Sequence, residues 1–228
     1  MDNKLIVTAA PHITSVDSTQ KIMQRVCIAL VPTLIASVII FGINSLILTA
    51  VTVAACVIFE YLYCKLMHKP NPVGDLSACV TGVILALNMP VSMPLWIAIV
   101  GALVAIVIIK QLFGGLGYNF ANPALVGRIV LFLGFTSRMT AYVYPDMSVD
   151  ALASATPLNA AVDLHSVSFV DMLLGIHGGM MGETCVIAIL LGLAYLLFTH
   201  TIEFTIPASI VGTMYVLTLL ATRDPYIA

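Results

Sequence analysis

Three acidic side chains lie alone at the ends of long apolar stretches, where a charge needs a reason to be present. Glu60 lies near the end of one stretch, Asp75 precedes the next, and Glu183 precedes a later one. An ionisable group inside a membrane segment is a candidate for binding a transported ion. Glu60, Asp75 and Glu183 are therefore candidates for a path of Na⁺ or H⁺. Each also has a structural interpretation: Glu60 could pair with a neighbouring subunit, and Asp75 or Glu183 could stabilise a helix start.

A glycine-rich segment, KQLFGGLGYNFANPA at Lys110–Ala124, brings two amides close together in the chain. It is not a phosphate-binding loop, because no Gly-Lys-Ser/Thr follows and the third glycine of a dinucleotide fingerprint is missing. Asn119 and Asn122 could instead hydrogen-bond a buried polar ligand, and Pro123 suits the first turn of a helix. Arg128 either joins that ligand site or extends its charged end to the membrane surface.

A polar segment, DALASATPL at Asp150–Leu158, contains a threonine in an unusual setting. Pro157 biases Thr156 toward extended backbone, and small residues at 153 to 155 leave room for a bulky group on its hydroxyl. A Thr-Pro turn in a polar loop is nevertheless usually only a turn. These residues alone therefore do not predict a modification.

Composition indicates that membrane helices position all of these side chains. Of 228 residues, 61% are hydrophobic and only 9% are charged, which no soluble domain of this length resembles. A hydrocarbon core about 30 Å thick takes roughly 20 apolar residues per helix, so the chain could supply about seven or eight spans. The formal charge of -2 and the lack of any Lys/Arg run argue against a nucleic-acid partner. The five cysteines form no CxxC pair, which favours packing over metal binding.

The apolar stretches predict an all-α, polytopic membrane helix bundle in two parts. Residues 1–135 form a first membrane half with five hydrophobic helices, residues 136–168 a long polar loop, and residues 169–228 the start of a second half. The first five segments are Ile22–Ile43, Ser45–Cys64, Leu76–Met89, Leu95–Ile109 and Ala121–Phe135. The later ones are Glu183–Phe198 and Phe204–Ala221, after a short apolar stretch at Phe169–Ile176.

Two of these segments are unusually short, which predicts broken or half-length helices. The third segment is followed by Pro90 and Pro94, and the fifth follows the glycine-rich turn. Backbone polar groups freed at such breaks cannot face lipid, so they must be buried in protein or turned toward a ligand or a water-filled cavity. The breaks are equally compatible with ordinary connections between helices at the membrane surface.

The distribution of lysine and arginine predicts the orientation. Lys21 and Arg25 precede the first helix, Lys65 and Lys69 follow the second, and Lys110 follows the fourth, so all lie on one side. Because cytoplasmic flanks are enriched in these residues, that side is predicted to be cytoplasmic. The loop at 136–168 then faces the extracytoplasmic side.

Together these segments resemble one known family: the D subunit of Rnf-type ferredoxin:NAD oxidoreductases and the related B subunit of the sodium-pumping NADH:quinone oxidoreductase. The resemblance covers nearly the whole chain. It is carried by APHI at Ala10–Ile13, LSACVTGVILALNMP at Leu76–Pro90, KQLFGGLGYNFANPALVG at Lys110–Gly127, SATPL at Ser154–Leu158 and GET at Gly182–Thr184. It implies two inverted halves of five helices in a bacterial cytoplasmic membrane. Against that pattern the sequence ends three helices early, and two explanations are open: it is a fragment of a longer protein, or this version lacks those helices.

The resemblance also implies a covalent cofactor. A threonine in the family's loop motif carries flavin mononucleotide (FMN) through a phosphoester bond, which implies FMN on Thr156 and makes Asp150 the acidic residue upstream. The family usually has glycine just before the Ala-Thr pair and a hydroxyl residue before that, where this sequence has Ser154 and Ala153. Both replacements are small, so flavinylation by a separate flavin transferase is still expected.

A second, noncovalent flavin is a further implication of the resemblance. This cofactor, for which riboflavin is the candidate, would lie within the membrane bundle, and Asn119, Asn122 and Arg128 are the residues near which we expect it. No residue of the chain is expected to be catalytic itself or to bind a metal. The implied partners are the other membrane and peripheral subunits of an Rnf complex and the lipid bilayer.

The expected function is therefore electron transport between ferredoxin and NAD, coupled to translocation of Na⁺ or H⁺. Three alternatives stay open: the B subunit of the quinone reductase, a solute or ion transporter without a redox role, and an assembly scaffold. The short stretch before Pro11-His12 and the Thr-Pro-Leu ending favour the Rnf form. Thr156 separates the redox proteins from the others, because a transporter or scaffold needs no phosphoester-linked flavin.

Overall fold

The computed structural model describes residues 17–69, 72–143 and 169–222, and the regular structure within these ranges is helical. The helices are α1 Thr19–Phe41, α2 Ile43–Leu66, α3 Ser77–Leu87, α4 Leu95–Leu103, α5 Pro123–Gly134, α6 Thr136–Met139, α7 Phe169–Leu174, α8 Val186–Phe198 and α9 Thr205–Thr222. The last turns of α4 continue as a π-helical segment, Val104–Gln111. The predicted all-α bundle is confirmed, and α6 shows that the polar segment from residue 136 begins with a helical turn.

Two of the described helices, α1 and α2, are long and apolar enough to cross a membrane, with 23 and 24 residues. Ser18 caps α1 by accepting a hydrogen bond from the Lys21 backbone N–H at 3.3 Å. Gly42 joins the two helices with φ +78°, a conformation that glycine adopts without strain. Apolar side chains such as Ile35 and Ile39 point outward, as expected for helices that face lipid.

The two helices that the sequence predicts to be short, α3 and α5, are half-length. α3 and α5 contain 11 and 12 residues, which at 1.5 Å per residue is roughly half of a bilayer core about 30 Å thick. Asn122 caps α5, because its Oδ1 accepts from the N–H groups of Ala124 at 3.0 Å and Leu125 at 3.4 Å. Pro123 occupies the first turn, as predicted.

Small residues allow α2, α3, α4 and α5 to pack closely. A Cβ added at Gly127 of α5 would lie 3.2 Å from both the Ala105 Cβ and the Gly101 carbonyl oxygen. A Cβ at Gly82 of α3 would lie 2.8 Å from the Val53 Cα of α2. Association of helices in a membrane depends on this close packing, since lipid provides no hydrophobic driving force between them. The tight packing fixes the relative positions of the side chains between these helices.

The broken end of α3 is held by the segment before α8. The Gly182 N–H donates to the Leu87 carbonyl at 2.8 Å, and the Met181 N–H donates to the Met89 carbonyl at 3.2 Å. These bonds satisfy carbonyl groups that the end of the helix would otherwise leave unpaired. α1 packs on α8 beside this junction, and an apolar cleft of about 380 Å³ lies between α1, α3 and α8.

Candidate functional site

A buried ion pair joins α2 to the π-helical segment. The Lys110 Nζ lies 2.5 Å from the Glu60 Oε1, and the two side chains are 1% and 0% exposed. Removing charges from water is costly, and a pair in good geometry offsets that cost only while both partners are present. The pair is therefore an electrostatic unit buried between α2 and the π-helical segment.

The π-helical geometry brings two consecutive residues to the same carboxylate. Gln111 Nε2 donates to Glu60 Oε1 at 2.7 Å, so this oxygen accepts from both Lys110 and Gln111. The wider turn is visible in the backbone, where the Leu112 N–H donates to the Val107 carbonyl at 3.0 Å. Such i to i+5 turns are rare and occur frequently at functional sites.

A hydrogen-bonded chain continues from the ion pair to the start of α3. Lys110 Nζ donates to Ser77 Oγ at 2.5 Å, and Ser77 Oγ donates to Asp75 Oδ1 at 2.5 Å. The Ser77 backbone N–H donates to the same Asp75 oxygen at 2.8 Å. Asp75 therefore stabilises the first turn of α3, which confirms its structural interpretation. It is also the last group in this series of hydrogen bonds. Asp75 is half-buried beside exposed Gly74, so the hydrogen bonds connect the edge of the bundle to the buried Glu60 in its interior.

One oxygen of this cluster has no hydrogen-bond partner among the described residues. It is the buried Glu60 Oε2. A buried carboxylate oxygen left without a donor costs free energy unless a cation, a proton or a water satisfies it. Glu60, Asp75 and Lys110 together carry a formal charge of -1 when all are ionised. The arrangement can therefore accept one more monovalent cation at Glu60.

Two sequence interpretations are wrong at this cluster. The sequence predicts that Lys110 follows the fourth helix, but the residue lies in the last turn of the π-helical segment and is buried. The interpretation of Glu60 as a partner for a neighbouring subunit fails, because Glu60 pairs within its own chain. Sequence reasoning also missed Ser77 and Gln111. The available signal was one isolated glutamate near the end of the second apolar segment and one isolated lysine directly after the fourth.

Arg128 belongs to a second set of contacts. Its Nη1 donates to Asn88 Oδ1 at 2.9 Å, and Asn88 Nδ2 donates to the Ile84 carbonyl at 2.8 Å. The side chain therefore binds the end of α3 instead of joining Asn122 or extending freely to the surface. Half-buried Arg128 thus fixes the place where α3 ends.

Glu183 lies beside the same end of α3, apart from Glu60 and Asp75. Its Oε1 accepts from the Met180 N–H at 3.0 Å, and it lines the apolar cleft together with Asn88. It does not cap α8, whose N-cap position is Cys185. Burial raises the pKa of Tyr142, the nearby Glu183 raises it further, and Arg128 opposes the shift. The charges of Glu183 and Arg128 therefore both act on the region around Tyr142.

The two candidate amides have different environments. Asn122 is exposed, and its Oδ1 is committed to the α5 cap. Asn119 has a buried Oδ1 without a hydrogen-bond partner among the described residues. Between them and the π-helical segment, Gly114, Gly115 and Gly117 have φ values of +116°, +95° and +90°. A Cβ at Gly117 would meet nothing within 4 Å, so the backbone conformation, and not close approach, requires glycine there.

Comparison with known proteins decides the family. The model of the NQR2, RnfD, RnfE family matches residues 6–228, which is nearly the whole chain. The chain belongs to this family. The prediction from the sequence motifs is thus confirmed, and the described bundle is the membrane fold of one of its members.

Relatives in this family are D subunits of ion-translocating complexes. The D subunit of the Na⁺-translocating ferredoxin:NAD⁺ oxidoreductase complex of Acetobacterium woodii is 40% identical, over 98% of this chain and 71% of that protein. The D subunit of the proton-translocating ferredoxin:NAD⁺ oxidoreductase complex of Clostridium ljungdahlii is 34% identical, over 95% and 69%. The D subunit of an ion-translocating oxidoreductase complex of Alcanivorax borkumensis is 32% identical, over 95% and 71%. The names of these relatives include both ions, so membership of the family leaves Na⁺ and H⁺ open.

Some predicted features lie outside the described residues. They are the proposed FMN site Thr156 with Asp150 and Ser154, and the APHI motif near the start of the chain. Of the other predicted residues, the structure links Glu60 to Asp75 through Lys110 and Ser77. Asn119, Arg128 and Glu183 lie outside this cluster. Arg128 and Glu183 lie beside the end of α3.

Proposed function

We propose that this chain is the D subunit of an ion-translocating ferredoxin:NAD⁺ oxidoreductase, in which it couples electron transport to movement of Na⁺ or H⁺. Its alignment along nearly its full length with D subunits of such complexes supports the redox assignment. The observation that carries the ion-coupling part is the buried Glu60 carboxylate, which has one oxygen paired with Lys110 and the other unpartnered among the described residues. An ionisable group is costly to bury inside a membrane protein, so one that is buried there is a candidate for a functional role.

The proposed ion path begins at Asp75 and continues to Glu60. Asp75 is half-buried at the edge of the bundle, and Ser77 and Lys110 connect it to the fully buried Glu60. A cation that enters beside Asp75 would therefore meet a continuous series of polar groups instead of apolar side chains. Glu183, in the cleft beside the end of α3, is the next acidic group that we assign to the path.

The proposed covalent cofactor is FMN, attached through its phosphate to Thr156. Bound flavin would supply one- and two-electron chemistry, while the protein sets its position and electrostatic surroundings. Thr156 is then a tether and not a catalyst. A flavin transferase and the other subunits of the complex are the partners that this assignment requires.

A second flavin, riboflavin, is proposed beside Asn119. Its buried Oδ1 lacks a donor among the described residues, which suits a ring N–H of a flavin. Asn122 and Arg128 fit less well, because the Asn122 Oδ1 already caps α5 and one Arg128 Nη already binds Asn88. Their remaining N–H groups can only donate, toward the carbonyl oxygens of such a ring.

We expect Thr156→Val to abolish covalent flavin attachment. Protein produced together with the flavin transferase should give a fluorescent band on a denaturing gel, and this band should disappear in the variant because valine has no hydroxyl to form the phosphoester. Ser154→Ala, which removes the nearest other hydroxyl, is the matched control and should keep the band. A fluorescent Thr156→Val band would contradict the assignment of the FMN to Thr156. The absence of a band in the wild type would leave a non-redox transporter as the better interpretation.

We also expect the loop with Thr156 to face the extracytoplasmic side. In a background without native cysteines, a membrane-impermeant maleimide should label a Ser148→Cys variant in intact cells. It should label a Lys69→Cys variant only after the cells are opened, because Lys69 lies at the end of the bundle that is rich in lysine. The opposite labelling pattern would reverse the orientation and place Asp75 on the extracytoplasmic side.

A further inference from the structure

The Lys110 ammonium contacts two competing partners at once. It lies 2.5 Å from Glu60 Oε1 and 2.5 Å from Ser77 Oγ, and Ser77 in turn donates to Asp75. Two carboxylates are thus connected to a single cation. A lysine ammonium is a compact charge on a flexible four-carbon stem, so it can shift between them while its backbone stays in place.

The charge balance of the cluster leaves room for a second cation. Glu60 and Asp75 are formally -2 together, and Lys110 supplies +1. The thiols of Cys56, Cys64 and Cys79 interact electrostatically with Glu60 and Lys110 but supply no positive charge. Nearby Lys65 and Lys69 are exposed to the surroundings. The unpartnered Glu60 Oε2, fully buried, marks the place where the missing charge would bind.

We propose that Lys110 is a tethered counter-cation, which competes with the translocated monovalent cation for Glu60 and moves toward Asp75 when that cation binds. This inference rests on the proposed ion-translocating function and assigns its regulation to one side chain. Without the cation, the ammonium occupies Glu60, as the structure has it. With the cation bound, the ammonium pairs with Asp75 through or beside Ser77, and both carboxylates are neutralised.

The contacts in the structure make this exchange short. Lys110 Nζ already bonds to Ser77, so only its contact with Glu60 has to break. That step releases Oε1, which then lies with Oε2 as a pair of oxygen ligands for an incoming cation. Gln111 keeps its donor on Oε1 at 2.7 Å and holds the carboxylate in position. The exchange therefore links cation binding to a movement at the α3 start.

Removing the competitor should increase the apparent affinity for the cation. If the ammonium occupies Glu60 about nine-tenths of the time, the site is free about one-tenth of the time and its apparent dissociation constant is raised about tenfold. Lys110→Gln, which keeps a polar side chain but no charge, should therefore lower the half-saturating cation concentration about tenfold. For a site that binds H⁺, the same change appears as a midpoint about one pH unit higher.

The measurement is the thermal unfolding midpoint of the purified complex, because a ligand that binds the folded protein stabilises it by RT ln(1 + [L]/Kd). The slope of this stabilisation against the logarithm of the cation concentration follows the occupancy, so the half-saturating concentration is the one at which the slope reaches half of its maximum. NaCl is titrated at constant ionic strength with choline chloride, and the titration is repeated across pH at fixed Na⁺. Lys65→Gln, an exposed lysine on α2, is the matched control and should match the wild type. Glu60→Gln should lose the cation-dependent part of the response.

Ser77→Ala provides a test in the opposite direction. It removes the second partner of the ammonium, so Lys110 should remain longer at Glu60 and the half-saturating cation concentration should rise about threefold or more, on the same competition argument. This variant decides the matter if Lys110→Gln does not assemble. The proposal would be overturned if Lys110→Gln had the same half-saturating cation concentration as the wild type. If only Ser77→Ala assembles, the same result in that variant would overturn it.

These results are separable from the proposed function. Cation-dependent unfolding is measured without ferredoxin or NAD⁺, so a complex that shows the predicted shifts but no ferredoxin-dependent NAD⁺ reduction supports the exchange and contradicts the redox assignment. The opposite result is a complex with full coupled activity whose Lys110→Gln and Ser77→Ala variants keep the wild-type half-saturating cation concentration. That result contradicts the exchange but leaves the redox assignment intact.

Discussion

Replacing Lys110 by leucine should destabilise the protein by about 3–5 kcal/mol, because it leaves the buried Glu60 carboxylate without its partner. A loss of this size is a large part of the roughly 5–15 kcal/mol by which folded domains are stable. We therefore expect most of the variant to be lost as aggregate, and the remainder to have a much lower melting temperature. Size-exclusion chromatography of the detergent-solubilised protein, followed by thermal unfolding, measures both effects.

The double variant Glu60→Leu/Lys110→Leu distinguishes a charge effect from a packing effect. When both charges are replaced by apolar side chains of similar volume, a buried ion pair is often lost without cost or even with a gain in stability. The double variant should therefore fold better than the single one, although it should lose cation coupling. Lys65→Leu, at an exposed position of α2, serves as the control. A single Lys110→Leu variant as stable as the double one would show that the pair is not an electrostatic unit.

The helices were largely predictable because the bilayer imposes a length on them. α1 and α2 begin and end within three residues of the apolar segments Ile22–Ile43 and Ser45–Cys64. The half-length helices were also predictable, since Pro90 ends the third segment soon after α3 and Asn122-Pro123 provides a cap and a first turn. These features are local, so a single sequence carries them.

The candidate site was predictable only in part, because its contacts are long-range. Lys110 and Ser77 are 33 residues apart, and Gln111 and Glu60 are 51 residues apart. A lysine at the end of an apolar stretch can extend to the interface or turn inward, and composition does not distinguish the two. The π-helical segment turns Lys110 and Gln111 toward α2, and nothing in the local pattern announces it.

The contact of Arg128 was also not predictable, because it too is long-range. The sequence left two interpretations open, a ligand site with Asn122 or a free extension to the surface, and the structure gives a third, a bond to Asn88. That bond depends on where α3 ends, which the sequence placed two residues late, at Met89. Thr156 differs in kind, since the motif that carries its assignment lies outside the described residues and it stays a prediction.

The second large effect is expected at Gly192, where α8 crosses α1. A Cβ added at this glycine would lie 2.4 Å from the carbonyl oxygen of Ala29, far closer than two such atoms can approach. The obstacle is helix backbone, which cannot rotate away as the end of a flexible side chain can. The two helices would therefore have to separate, and the cleft between them, which Glu183 lines, would change shape.

Gly192→Ala should therefore be destabilising even though alanine is favoured over glycine in a helix by about 1 kcal/mol. Overpacking costs about 1–3 kcal/mol and sometimes more, so Gly192→Val should lower the apparent melting temperature further than Gly192→Ala. Gly212→Ala on α9 is the matched control, because a Cβ there would meet nothing within 4 Å, and it should be neutral or stabilising. If both alanine variants melted alike, α1 and α8 would not be in contact at Ala29, and the cleft beside Glu183 would lose its place in the ion path.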